Sequence, residues 1–512
     1  MLARAHAYTV VGLEAVPITV EVDAGRGLPQ LTIVGLPDQA VKEARERVRS
    51  AILNSQFELP QQRLTVNLAP AGLKKEGGAF DLAIALGILA ASRQLEPSTL
   101  ERVALLGELA LDGSLRPSRG VLPVALQLRH RPEVTLIVPH ANVAEARVVQ
   151  DVPVIGLTNL RDVVSYLAGE SVPLAVRPSG ETTERPSSAS AAPDFAEVKG
   201  QAFAKRALEI AVAGGHHVLM IGPPGSGKSM LAQRIPGIQP ALSLDEALEC
   251  TTIHSVLGLL PPGQALLRQR PFRAPHHTTS AAALIGGGTV PKPGEASVAH
   301  HGVLFLDELP EFRRDVLESL RQPLEDGTVS VARMRGVARF PARFMLVAAM
   351  NPCPCGYLTD RRHACRCNPA KVEAYLAKVS GPLLDRIDLH IDVPAVAAAQ
   401  LLDPLPEGES SAVIQARVAA ARTRQQARLS EDGLLINARM RSRHLARHVK
   451  PTRDAVALLR RAIEELGLSA RAHDKILKIA RTIADLAGTE AVTSEHLAEA
   501  IQYRSLDRRL RV

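Results

Sequence analysis

Tryptophan is absent from this chain of 512 residues, and aromatic side chains make up only 3% of it. Its cores must therefore be built from Leu, Val, Ile and Ala, which the 46% hydrophobic content readily allows. No apolar run approaches the roughly 20 residues that a membrane span needs, so no membrane partner is expected. The opening Met1-Leu-Ala-Arg-Ala-His lacks the long apolar segment of a secretory signal, which makes the cytoplasm the expected compartment. No internal repeat runs at a fixed period. Neither sign of charge is scarce. The net charge of +8 permits nucleic-acid binding without establishing it. Basic residues are dense from Arg417 to Arg453, a pattern common to solvated helix faces and to nucleic-acid surfaces.

What is present is more specific. The run Gly222-Pro223-Pro224-Gly225-Ser226-Gly227-Lys228-Ser229 fits G-x-x-x-x-G-K-[ST]. It follows the apolar His217-Val-Leu-Met-Ile221, read as a buried strand, and precedes a segment able to continue as a helix. Such a loop curls backbone N–H groups around phosphate oxygens at a helix N-terminus. Lys228 would reach the β- and γ-phosphates, and Ser229 would ligate Mg²⁺. About 80 residues on, Gly302-Val-Leu-Phe-Leu-Asp307-Glu308 is an apolar strand ending in two carboxylates. Asp307 suits Mg²⁺ coordination, and Glu308 suits a base that polarises attacking water. Either string alone is weak; together they argue ATP hydrolysis with ATP and Mg²⁺ as cofactors.

The length suits about three domains. Residues 1–168 alternate strands, at Ile18–Val22, Leu31–Val34, Leu64–Asn67 and Leu136–Val138, with helices at Asp38–Leu53 and Phe80–Ala91. Residues 169–193 include a polar, Pro/Ser-rich stretch and are expected to be a flexible linker. An ATPase core is expected over 194–393 and a helical tail over 394–512. Within the core, Arg343-Phe-Met-Leu-Val-Ala-Ala-Met-Asn351 reads as a strand ending in an amide. That amide either orients the water beside the γ-phosphate or merely starts a turn before proline. Arg386 sits in the acidic frame Asp385-Arg386-Ile-Asp388, where an internal ion pair is the simpler alternative to a functional role.

In this order the pieces resemble an AAA+ ATPase of the magnesium-chelatase and MCM branch, most closely the ComM/YifB family of bacterial magnesium-chelatase-like ATPases. Family-like strings are Pro271-Phe-Arg-Ala-Pro-His-His-Thr278, Asn351-Pro-Cys-Pro-Cys-Gly356 and Ala480-Arg-Thr-Ile-Ala-Asp-Leu486. The resemblance covers essentially the whole chain. It implies an α/β fold with a parallel-sheet ATPase core and a C-terminal helical lid. It makes Asn351 sensor 1, Arg386 an arginine finger offered to a neighbouring subunit's ATP, and Arg471 sensor 2. A finger supplied by a neighbour means an active site complete only in a homo-oligomer, which in this family is usually a hexameric ring.

Residues 271–295 are similar to the hairpin insertion of this branch. A second hairpin is expected at Gly327-Thr-Val-Ser-Val-Ala-Arg333-Met-Arg335-Gly336, where alternation is bounded by glycines. In the ring motors this chain resembles, such hairpins project into the pore and grip nucleic acid. Lys292, Arg333 and Arg335 are then the expected DNA-phosphate contacts. The pairs His276-His277 and His300-His301 share no third ligand at a clear spacing, so they read as structural or pore residues rather than a metal site.

The first domain resembles a Lon-type protease, an α+β scaffold, through Lys74-Lys75-Glu76-Gly77-Gly78-Ala79-Phe80-Asp81 and Leu106-Gly-Glu-Leu-Ala-Leu-Asp-Gly113. Ala79 stands where such proteases carry the Ser nucleophile, and alanine has no lone pair to attack a carbonyl. Arg116-Pro-Ser-Arg-Gly120 also lacks the downstream lysine. The scaffold is expected to grip DNA or brace the ring.

Four of the five cysteines fall at Cys353, Cys355, Cys365 and Cys367. Two C-x-C pairs across a short loop suit a closed structural Zn²⁺ site, with His363 as a substitute ligand; free thiols or redox disulfides are the alternatives. Cys250 reads as a buried apolar residue. The expected function is an ATP-driven ring motor on branched or single-stranded DNA, driving branch migration in recombination or natural transformation. The alternatives are a chelatase-type ATPase remodelling a protein partner and a Lon-like protease, the last disfavoured by Ala79.

Overall fold

The alternating burial of Leu2–Val11 and Glu14–Gly25 sets two long antiparallel strands side by side, with Ala7 opposite Ile18. The computed structural model to which they belong describes residues 1–75, 77–171, 193–261, 263–288, 291–333, 336–360, 362–396, 408–466 and 468–506. Most of the expected linker, residues 172–192, lies outside the described residues. The chain divides into two units. One is 1–187 with 244–267, and the other is 188–243 with 268–512.

The first unit is built on a mixed sheet of seven strands. Their order is Gln30–Val34, Arg63–Ala69, Glu14–Gly25, Leu2–Val11, Val103–Leu105, Thr135–Pro139, Val154–Leu157. The four expected strands are all among them. The helix Gln39–Asn54 starts where Asp38 accepts the Val41 N–H at 2.8 Å. Asp81–Ala91 is buried at every residue and, after Asp81, apolar on every side, packed into one core with Ala5, Ala7, Val20 and Val22. Ala79 lies just before it, its carbonyl bonded by Gly107 N at 3.1 Å. Lys75 is fully buried and donates to Gly35 O at 2.9 Å and to Pro70 O, so it serves the loop's backbone.

The helix Leu244–Leu257 lies within the stretch expected for the ATPase core, yet it packs in this first unit beside the helix Val121–Leu128. Gly120 N donates to Ser255 O at 3.1 Å, and the Ser255 hydroxyl bonds the Glu145 carboxylate. The other Glu145 oxygen accepts from Asn142 Nδ2 at 3.2 Å.

The second unit centres on five parallel strands in the order Phe272–Arg273, Val303–Leu306, Met345–Met350, Val218–Ile221, Leu389–Asp392. The three middle strands are buried at every residue, as a parallel sheet covered on both faces requires. The tail helices Ser411–Leu429, Ala470–Ala487 and Ser494–Gln502 share this core. Ile476, Ile479, Ile483 and Leu497 join Val218, Val347 and Ile391 in one apolar cluster. No helix among the described residues is long and apolar enough to cross a membrane.

Candidate ATPase site

The phosphate loop leaves the strand Val218–Ile221 and runs directly into the helix Lys228–Ile238. A Cβ at Gly222 would stand 2.1 Å from Val393 O, so only glycine fits where the loop departs from the sheet. Gln201, which the sequence reading missed, braces the loop. Its Nε2 donates to Ser226 O at 3.2 Å and to Pro394 O at 2.6 Å. Ser226 Oγ is buried without a hydrogen-bond partner among the described residues.

Two neighbouring strands bring the other groups to the same edge. Lys228 Nζ donates to Gly222 O at 2.8 Å, Pro223 O at 2.9 Å and Asn351 Oδ1 at 3.3 Å. Burial pushes this ammonium below its ordinary pKa, with Asp307 pulling it back up. Ser229 Oγ donates to Asp307 Oδ2 at 2.5 Å. A buried ammonium, an orphaned hydroxyl and a hydroxyl–carboxylate pair of hard oxygen ligands fit a phosphate chain and Mg²⁺.

Glu308 turns the other way. Its φ is +51°, in the left-handed region that a non-glycine residue occupies at a cost. The carboxylate is 57% exposed and lies 3.3 Å from His277 Nδ1. The His276 ring packs on His277 at 4.1 Å and bonds Thr278 Oγ1 at 2.9 Å. His300 Nδ1 accepts from the Arg343 backbone at 2.9 Å. Spacing alone held no signal for the His277–Glu308 contact, because 31 positions separate the two residues.

Arg386 donates to Pro382 O at 2.7 Å and pairs with Glu325, not with the acids of its own frame; its side chain is 12% exposed. Arg471, at the start of the helix Ala470–Ala487, is 67% exposed and stands 3.8 Å from Asp385. Asp388 is bonded instead by His217 N at 3.2 Å and faces Lys475 at 3.4 Å. Burial pushes its carboxyl up, but Lys475, His216 and His217 outweigh it and hold the carboxyl well below the usual carboxylate range.

Of the expected DNA contacts, Lys292 is exposed on a two-residue ladder, Gly286–Gly287 against Lys292–Pro293, between two short helices. The second hairpin is longer than expected. Thr328–Arg333 forms only its first strand, and Gly336–Pro341 pairs back antiparallel, with Arg333 opposite Gly336. Gly336 therefore opens the second strand rather than closing the hairpin. Arg335 lies outside the described residues.

The four clustered cysteines converge, their sulfurs all within 4.8 Å of one another. His363 stands apart, bonding Asp360 Oδ2 at 3.0 Å and packing on Tyr357. Cys250 is buried, in the helix Leu244–Leu257.

Comparison with known proteins agrees with this geometry. Residues 194–401 match the family model described as magnesium chelatase, subunit ChlI. Residues 20–142 match subunit ChlI of Mg-chelatase, and residues 408–504 match its C-terminal model. The chain is 45% identical over 509 residues to the protein YifB of Salmonella typhimurium, covering 99% of this chain and 98% of that protein. It is also 45% identical over 515 residues to the competence protein ComM of Haemophilus influenzae, again covering 99% and 98%. A more distant match, 27% over 150 residues, is to the minichromosome maintenance protein MCM of Saccharolobus solfataricus, covering 29% of this chain and 19% of that protein. By full-length identity and by the phosphate loop at the edge of a parallel sheet, the chain belongs to the ComM/YifB family of magnesium-chelatase-like AAA+ ATPases.

Proposed function

We propose that this chain is an ATP-driven ring motor on DNA, a branch-migration helicase of recombination or natural transformation, with a structural Zn²⁺ at its cysteine cluster. The carrying observation is the convergence of Lys228 with Asn351 and of Ser229 with Asp307 at one sheet edge. Bound Mg²⁺-ATP supplies the transferable γ-phosphoryl group. Lys228 and the loop's backbone would bind its phosphates, and Ser229 and Asp307 would hold the metal. Glu308 takes the proton of the attacking water, and Asn351 orients that water. Arg386 and Arg471 neutralise charge on the transferred group, Arg386 from a neighbouring subunit of a hexamer.

The ComM and MCM names of the relatives support DNA as the track. Lys292 and the hairpin Thr328–Pro341 are the proposed grips. The chelatase name of the family models favours a second reading, a remodeller of a protein partner. The ATPase rate with and without forked, branched and single-stranded DNA separates them. Stimulation by branched DNA is expected; indifference to all three would favour the remodeller.

A further inference from the structure

The strand Met345–Met350 runs through Asn351 at once into the cysteine cluster, and the sulfur spacing there is informative. Cys353 and Cys355 Sγ are 3.4 Å apart, Cys353 and Cys365 3.8 Å, and Cys355 and Cys365 3.6 Å. A disulfide needs about 2.05 Å. A tetrahedron with Zn–S bonds of about 2.3 Å has edges of about 3.8 Å. A backbone N–H also points at one of the sulfurs: Cys367 donates to Cys365 Sγ at 3.4 Å. Such a donor holds a thiolate in place as a metal ligand.

The knuckle touches the nucleotide site at three points. Cys353, fully buried, lies two residues after Asn351, whose side chain takes a hydrogen bond from Lys228. Gly356 packs against the phosphate loop: a Cβ there would come within 2.5 Å of Pro224 Cδ, and its φ is +86°. Cys367 leads through Asn368, the cap of the helix Pro369–Leu376, to buried Tyr375. The Tyr375 hydroxyl lies near the Asn351 backbone N–H, which opposes the rise in its pKa that burial causes.

We infer that Zn²⁺ at Cys353, Cys355, Cys365 and Cys367 sets the nucleotide site, by fixing Asn351 from both sides and seating Gly356 on the phosphate loop. The inference rests on the ATPase reading and adds a metal-dependent control to it. Loss of the ion frees the loop from residue 353 to 367. The amide of Asn351 and the ring of Pro224 then lose their backing, and nucleotide affinity falls although every phosphate-binding residue is intact.

The test uses the full-length chain purified without chelator. Elemental analysis should give one zinc per chain. Binding of a fluorescent ATP analogue should weaken by roughly tenfold or more when zinc is stripped, and recover when it is restored. A Cys365→Ser/Cys367→Ser double variant should behave like the stripped protein. Gly356→Ala keeps all four ligands, so it should retain zinc and still bind the analogue several-fold more weakly. Absence of zinc overturns the proposal. So does unchanged nucleotide affinity after zinc loss, and so does wild-type affinity in Gly356→Ala. A zinc-loaded wild-type chain that binds no nucleotide would overturn the ATPase reading itself, and the coupling with it.

Discussion

Glu308 and Asp307 are neighbours with opposite orientations, and the backbone explains the difference. Asp307 directly follows its strand and faces Ser229, while the left-handed φ at Glu308 swings its carboxylate out to His277. Replacing Glu308 by Gln keeps the shape and removes the carboxylate proposed as the base. Glu308→Gln should therefore bind ATP normally and lose turnover by about 10²-fold or more, read by ATPase assay beside a binding titration. Lys228→Ala should fail earlier, at binding, because its ammonium is the buried cation of the loop. Equal ATP affinity in Lys228→Ala and wild type would remove the phosphate-loop role. His217 is a second residue with a measurable consequence. Its Nδ1 accepts the Leu346 N–H at 3.0 Å, which requires the neutral ring, and burial depresses its pKa to about 4. The unfolded chain takes up that proton near pH 6.5, so this contribution to stability is full above about pH 6.5 and is lost as the pH falls toward 4. The loss is at most on the order of 3 kcal/mol, at about 1.4 kcal/mol per pKa unit. Thermal melts from pH 7 to 5 should show a steeper fall for wild type than for His217→Asn, whose amide oxygen can accept the same N–H.

Among the elements, the helix Ala470–Ala487 shows how the tail is tied down. Ser469 caps it by accepting the Ala472 N–H at 3.3 Å, and its buried face joins the core of the sheet. Near its end Asp485, 1% exposed on its side chain, takes two bonds of 2.7 Å from Arg428, one of 2.8 Å from Asn437 and one of 3.2 Å from Arg481. Removing that carboxylate would leave two guanidinium groups without their anion. Asp485→Ala should cost about 3–5 kcal/mol in chemical denaturation of this unit; a shift below about 1 kcal/mol would mean that water replaces the carboxylate. Elements of this kind were only partly legible in the sequence. The strands that read clearly, such as Val303–Leu306 and Met345–Met350, are continuous apolar runs. Leu2–Val11 escaped because Arg4 and His6 interrupt its apolar pattern, although they lie on the strand face opposite buried Ala3, Ala5 and Ala7. The phosphate loop and the paired acids were legible because each motif is contiguous. Gln201, His277, Tyr375 and the seat of Gly356 on Pro224 were not, since each depends on a contact between residues far apart in sequence. The placement of Leu244–Leu257 in the first unit was hidden for the same reason.

For the protein as a whole, the decisive question is whether one chain is enough. Within the chain Arg386 already has a partner, Glu325, on the helix Arg321–Asp326. Two roles follow from that pair and they predict different things. If Arg386 serves only its own subunit's fold, Arg386→Ala and Glu325→Ala should lower the melting temperature alike and leave turnover per folded chain unchanged. If Arg386 reaches a neighbour's γ-phosphate, the two variants should part company. Arg386→Ala should still bind ATP but lose about 10³-fold in turnover, whereas Glu325→Ala should keep most of it, since only the arginine stabilises the transferred group. Mixing then identifies the subunit that is served. Arg386→Ala contributes an intact phosphate site, and Lys228→Ala contributes an intact arginine. Co-assembled rings of the two should recover part of the activity that neither shows alone. Verified mixed rings with no recovery, or normal hydrolysis by Arg386→Ala alone, would return Arg386 to its pair with Glu325 and make each chain a complete enzyme.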